Sequence, residues 1–110
     1  MRIEHTRYRR EDGYHESERL AAHFHRLLGH PARIRLLRQL MQKRATASQL
    51  GTAHSLARTT VCRHLATLRH GGLVTYAENG DDPIYIATPH RWPDWLHGYL
   101  VSEHELPLAA

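Results

Sequence analysis

The stretch RTTVCRHLATLRHGGLV, residues 58–74, limits the fold more than any other part of this chain. At helical period Val61, Leu65 and Leu68 fall on one narrow face, and the two glycines at 71 and 72 supply a left-handed stop. The rest of the girth is Arg, Thr and His, with one Cys. A helix with so thin an apolar seam buries little of itself and must show its other faces to something polar.

Its neighbours say how it is presented. ATASQLGTA, just upstream, reads as a short helix with Leu50 and Ala53 inward, and HSL breaks it before the long helix begins. Two helices joined by so tight a turn predict a helix-turn-helix. Further upstream, Leu20, Phe24, Leu27 and Leu28 repeat at helical spacing from Ser17 until GHP ends the pattern. Pro31 suits the first turn of a second helix, in which Ile34, Leu36, Leu37, Leu40 and Met41 face inward while Arg33, Arg35 and Arg38 point outward. Downstream, LVTYAE, NGDDP and IYIA predict two short strands joined by a turn, a hairpin of the kind called a wing. Its tip carries Asp81 and Asp82, which predicts only light contact with a polyanion. A last helix places Trp92, Trp95, Leu96, Tyr99 and Leu100 on one stripe, with Pro93 near its start and Pro107 beyond its end.

The expected class is therefore mainly α with a small β-hairpin, in one domain. Its 110 residues, 41% of them apolar, fill one modest core and no more. We assign residues 1–14 to a basic N-terminal arm, 15–106 to the folded domain and 107–110 to a tail. Fifteen Lys and Arg against eleven Asp and Glu give a formal charge of +4, and fourteen of the fifteen cations are Arg, the side chain suited to forked recognition of phosphate and guanine. Nucleic acid is the favoured partner. No run of eighteen apolar residues supports a membrane span and the start lacks an export-type apolar segment, so a cytoplasmic location is expected. A phosphate-cradling Gly-rich loop, a nucleophile turn and HExxH are all missing, which argues against an enzyme.

The order of elements, together with LGHPARIRLLRQL (28–40), SQL (48–50), TTVCRHLATLRHGGLV (59–74) and IYIA (84–87), resembles the ArsR/SmtB family of bacterial winged helix-turn-helix regulators over roughly residues 17–105. The resemblance implies a homodimer built from the first and last helices, and control of a double-stranded DNA operator by a metal or another inducer. Two departures matter. The family's usual Ser before RHL is Cys62 here, and the thiolate-bearing CVC type of motif is replaced by ATASQLG.

In such a fold the second helix of the helix-turn-helix enters the major groove. Arg58, Thr59, Thr60, Arg63 and Thr67 lie off the leucine seam and form the expected DNA-binding set. The dimer interface is expected from Leu20, Phe24 and Leu27 with Trp95, Leu96 and Tyr99. Eleven histidines are the compositional outlier. His15, Glu16 and His23 on the first helix and His97 and His104 on the last are candidate ligands, meeting across a dimer, for a divalent effector. Imidazole and carboxylate without thiolate favour Ni2+ or Zn2+. The alternatives are a metal-independent regulator, one modulated through oxidation of Cys62, and a winged helix that binds protein.

Overall fold

A computed structural model of the chain describes residues 13–102. The elements in order are α1 (Glu16–Leu27), α2 (Pro31–Gln42), β1 (Ala45–Thr46), α3 (Ala47–His54), α4 (Arg58–His70), β2 (Val74–Ala77), β3 (Ile84–Ala87), a single 3-10 turn (Pro89–Arg91) and α5 (Asp94–Ser102). This is the expected winged helix-turn-helix, with one strand more than the sequence suggested. The first two residues of ATASQLGTA form β1, which pairs antiparallel with β3 through Ala45 opposite Tyr85 and Thr46 opposite Ile84. β3 lies between β1 and β2, and Tyr76 stands opposite Tyr85 in the hairpin itself. Most of the arm at 1–14, the tail at 107–110 and His104 and Glu105 lie outside the described residues.

Local chemistry sets the helix ends. Pro31 opens α2 where its missing N–H costs nothing, and the His30 ring accepts from the Ala32 amide at 3.1 Å. α3 begins with a reciprocal capping box: Thr46 Oγ1 accepts from the Gln49 amide at 3.1 Å while Gln49 Oε1 accepts from the Thr46 amide at 2.9 Å. Between α3 and α4 the chain turns at Ser55, whose φ is 58°, and Gly51 makes the turn tight enough. A Cβ at Gly51 would stand 2.7 Å from the Leu56 carbonyl oxygen.

The core is the expected one. Leu36, Leu37, Leu50, Val61, Leu65, Leu68, Leu73, Leu96 and Leu100 are all essentially inaccessible to water. Burying that set is the main source of stability, about 1.5 to 3 kcal/mol per large side chain. Ala53, expected to face inward, is exposed, and three further expectations are corrected here. Trp92 is not on the last helix but precedes it, buried, with its indole N–H donating to the Leu73 carbonyl at 3.2 Å. Arg33 does not point away: it folds back to donate to the Arg26 and Leu27 carbonyls at the C-terminal end of α1. Leu27 and Leu96 belong to the core of a single chain, at 8% and 0% exposure, and so are not available to a partner.

Candidate nucleic-acid interface

Helix α4 has three sides, and its sequence fixes each. Val61, His64, Leu65 and Leu68 face the core. Arg58, Cys62 and Arg69, spaced at four and seven residues, border the wing. Arg58 binds the wing tip, and the Arg69 guanidinium lies 5.2 Å from the Tyr76 ring centroid. Cys62 is half-buried against the core cluster. The third side is directed away from the protein and holds Thr59, Arg63, Thr67 and His70, with Thr60 at its edge.

These sequence-predicted residues have different surroundings. Thr59 and Arg63 are exposed, and Thr60 and Thr67 are half-buried. The Thr67 hydroxyl donates back to the Arg63 carbonyl at 3.3 Å, a local bond that leaves its acceptor lone pairs facing outward. Among the described residues, none makes a hydrogen bond or ion pair with the Arg63 guanidinium. Arg58 is different. Its Nε donates to Ser48 Oγ at 3.1 Å, and its Nη2 donates to the Asp81 carbonyl at 2.9 Å and to Asp82 Oδ1 at 3.2 Å. The sequence grouped Arg58 with Arg63, but of the two only Arg58 spends its donors on other described residues. Asp82 was missed as a functional residue, because spacing alone does not show that the hairpin folds its tip back onto α3 and α4.

Behind α4 the His30 and His64 rings lie 4.4 Å apart, and His64 Nδ1 accepts from Arg33 Nε at 3.4 Å. Burial first, then the cationic neighbours His30, Arg33 and Arg63, push the His64 pKa down. His64 is thus a structural histidine, buried behind α4.

Among the described residues the candidate metal ligands are not gathered together. His15 precedes α1, where its amide donates to the Glu18 carboxylate at 2.9 Å, and Glu16 opens that helix. His23 Nε2 donates to the Gly71 carbonyl at 3.3 Å, and His97 Nε2 to the Pro89 carbonyl at 3.2 Å. Among the described residues no group of three His, Cys, Asp or Glu is placed to hold a metal ion.

Between α1 and α5 runs an aromatic groove of about 550 Å3, lined by Leu20, Phe24, Trp92, Pro93 and Trp95 among others. Trp95 meets Phe24 edge to face at 6.4 Å and stacks on His25 at 4.9 Å, yet remains 42% exposed. Leu20 and Tyr99 are likewise exposed, at 48% and 46%. Of the six residues expected at a dimer interface, Leu20, Phe24, Trp95 and Tyr99 remain accessible. No helix among the described residues is long and apolar enough to cross a membrane.

The comparisons with known proteins meet this geometry. Residues 30–76, from the cap of α2 through the recognition helix to β2, match the family model described as bacterial regulatory protein, arsR family. Over that segment the chain is similar to the ArsR family. It is 36% identical over 73 residues to Rv0081 of Mycobacterium tuberculosis, described as an uncharacterized HTH-type transcriptional regulator; the match spans 64% of each protein. The crystal structure of Rv0081 superimposes with a TM-score of 0.64 at 28% identity, covering 83% of this chain and 89% of that one. HlyU from Vibrio cholerae has the same fold, with a TM-score of 0.70 at 19% identity over 83% of this chain and 95% of its own. NolR from Sinorhizobium fredii gives 0.69 at 23% identity, over 86% and 91%. The matched family and Rv0081 are both described as regulators.

Proposed function

We propose that this protein is a dimeric, sequence-specific regulator of the ArsR type that binds double-stranded operator DNA through α4 and the hairpin beside it. One observation carries the reading: the outward side of α4 presents Thr59, Arg63 and Thr67, with the Arg63 guanidinium unclaimed by any described residue. A guanidinium on such a face pairs with guanine in a forked geometry or neutralises a phosphate, and threonines read bases through hydroxyl or methyl groups. Two copies are needed to place two such helices in successive major grooves, about 34 to 36 Å apart. The exposed Leu20, Trp95 and Tyr99, with Phe24 below them, supply the apolar surface for that pairing.

The finer reading gives this regulator a divalent metal effector, Ni2+ or Zn2+. It draws donors from two copies, since the described residues of one chain do not bring three together. His23 and His97 each spend Nε2 on a backbone carbonyl, which leaves Nδ1 as the ligating atom. A carbonyl bond on the second nitrogen is the common support of a metal-bound imidazole.

The test is affinity for a labelled duplex from the DNA upstream of this protein's own gene, across a salt series, with and without nickel or zinc. Specific binding that weakens steeply with salt supports the DNA reading. Affinity that does not respond to salt points to a protein-binding module instead. Affinity that responds to salt but not to either metal removes the metal effector alone.

A further inference from the structure

A hairpin tip that approaches DNA with two adjacent carboxylates is electrostatically misplaced unless one of them has another task. Asp82 Oδ1 lies 3.2 Å from Arg58 Nη2 and also accepts from the Ser48 amide at 3.4 Å. That amide is one of the first N–H groups of α3, which have no partner within the helix. Arg58 completes the junction through Ser48 Oγ and the Asp81 carbonyl. Three pieces of the fold therefore meet at one carboxylate: the start of α3, the start of α4 and the tip of the wing. The tip itself is braced locally, with Asn79 Nδ2 donating to the Asp82 carbonyl at 3.0 Å. Burial alone would raise the Asp82 pKa, but hydrogen bonds from Ser48, Arg58 and Thr46 outweigh it and hold the carboxyl below its ordinary value. It is ionised at neutral pH.

We infer that Asp82 is a positioning residue for DNA binding: it fixes the wing against the recognition helix by holding Arg58, which acts as a strut and not as a reader of base or phosphate. The inference rests on the DNA-binding reading above. The exposed ion pair contributes little to stability by itself. Its effect is geometric, because a guanidinium held by three acceptors has one orientation and carries the wing with it. Simple charge counting predicts that removing a carboxylate beside a polyanion strengthens binding. The strut predicts the reverse, since a released wing must be ordered again when DNA binds.

Two measurements on the full chain keep the strut and the DNA reading separable. In hydrogen exchange without DNA, Asp82→Ala and Arg58→Ala should each speed exchange at Ser48 and at residues 79–84, and the double variant should exchange no faster than either single one. In anisotropy with the upstream duplex, Asp82→Ala should weaken binding by roughly two- to fivefold. Asp82→Asn, which keeps the acceptor oxygen, should recover part of the loss, and Arg58→Ala should weaken binding with its salt slope unchanged. Tighter binding by Asp82→Ala, unaltered wing exchange, or a slope reduced by about one in Arg58→Ala overturns the inference. Wild-type protein that binds no duplex overturns the DNA reading and Asp82's role in it, while exchange still decides whether the strut exists.

Discussion

The imidazole of His23, in the middle of α1, donates to the backbone carbonyl of Gly71, the residue that caps α4. The recognition helix is thus held at both ends, by the wing at Arg58 and by α1 at Gly71. The second attachment is tight because Gly71 has no side chain. A Cβ there would press into the Leu27 side chain, lying 2.7 Å from Cδ2 and 3.0 Å from Cγ.

Gly71→Ala should therefore destabilise the fold by about 1 to 3 kcal/mol, the usual cost of forcing a methyl into a packed contact. Urea unfolding measures it. A Gly71→Ala, Leu27→Ala double variant that loses less than the sum of the two single variants would locate the strain in this contact. An unaffected midpoint in Gly71→Ala would show that α1 and α4 do not pack as closely as described.

Stability should also fall on mild acidification. Burial followed by the Arg35 charge lowers the His54 pKa from its ordinary 6.5, and burial with His30, Arg33 and Arg63 lowers that of His64. At pH above 6.5 both rings are neutral folded or unfolded, so their contribution is complete. Below that, the unfolded chain takes up protons first, and stability is lost as pH falls through the depressed folded values. Urea midpoints at pH 7.5 and 5.5 should differ less in a His54→Gln, His64→Gln variant than in the wild type. An equal difference would assign the pH dependence to other groups.

The element order was readable in the sequence because periodicity and punctuation agree: GHP, HSL and GG each end a helix where the apolar repeat stops. β1 was not, since two residues carry no period and exist as a strand only because β3 offers an open edge to Ala45 and Thr46. The outward side of α4 was readable as the complement of the Val61, Leu65 and Leu68 seam. The Arg58–Asp82 contact was not readable, because the two residues are distant in sequence and the wing's carboxylates were taken only to predict light contact with a polyanion. The histidines were the least readable. His23, His25 and His97 bond backbone carbonyls and His54 bonds Gln39 Oε1, so much of the compositional excess serves as local bracing that no ligand spacing encodes.

Arg63→Ala should weaken operator binding without altering thermal stability, because among the described residues none bonds the Arg63 guanidinium and the Thr67 bond is to its backbone carbonyl. The loss should be about 1 to 3 kcal/mol if the guanidinium reads a base, or a salt slope lower by about one if it neutralises a phosphate. Competition with unrelated duplex tells these apart, since only a base contact changes specificity. Unchanged affinity for every duplex would take α4 out of the groove.

The dimer prediction turns on which apolar residues a single chain leaves exposed. Leu20 and Trp95 are 48% and 42% exposed, whereas Leu96 on the same last helix is fully buried. A charge at Leu20 therefore meets water in the monomer and apolar surface only in the dimer, while a charge at Leu96 enters the core. Leu20→Glu should yield a folded monomer by sedimentation equilibrium, with native helical circular dichroism. Leu96→Glu should unfold instead, since an unpaired buried carboxylate is costly in any assembly. The Leu20→Glu monomer should also lose most operator affinity, because one recognition helix cannot span two half-sites. Wild-type protein that sediments as a monomer at micromolar concentration, or Leu20→Glu that retains the dimer mass, would place the interface elsewhere and remove the geometric basis for a metal site shared between His23 and His97 of two copies.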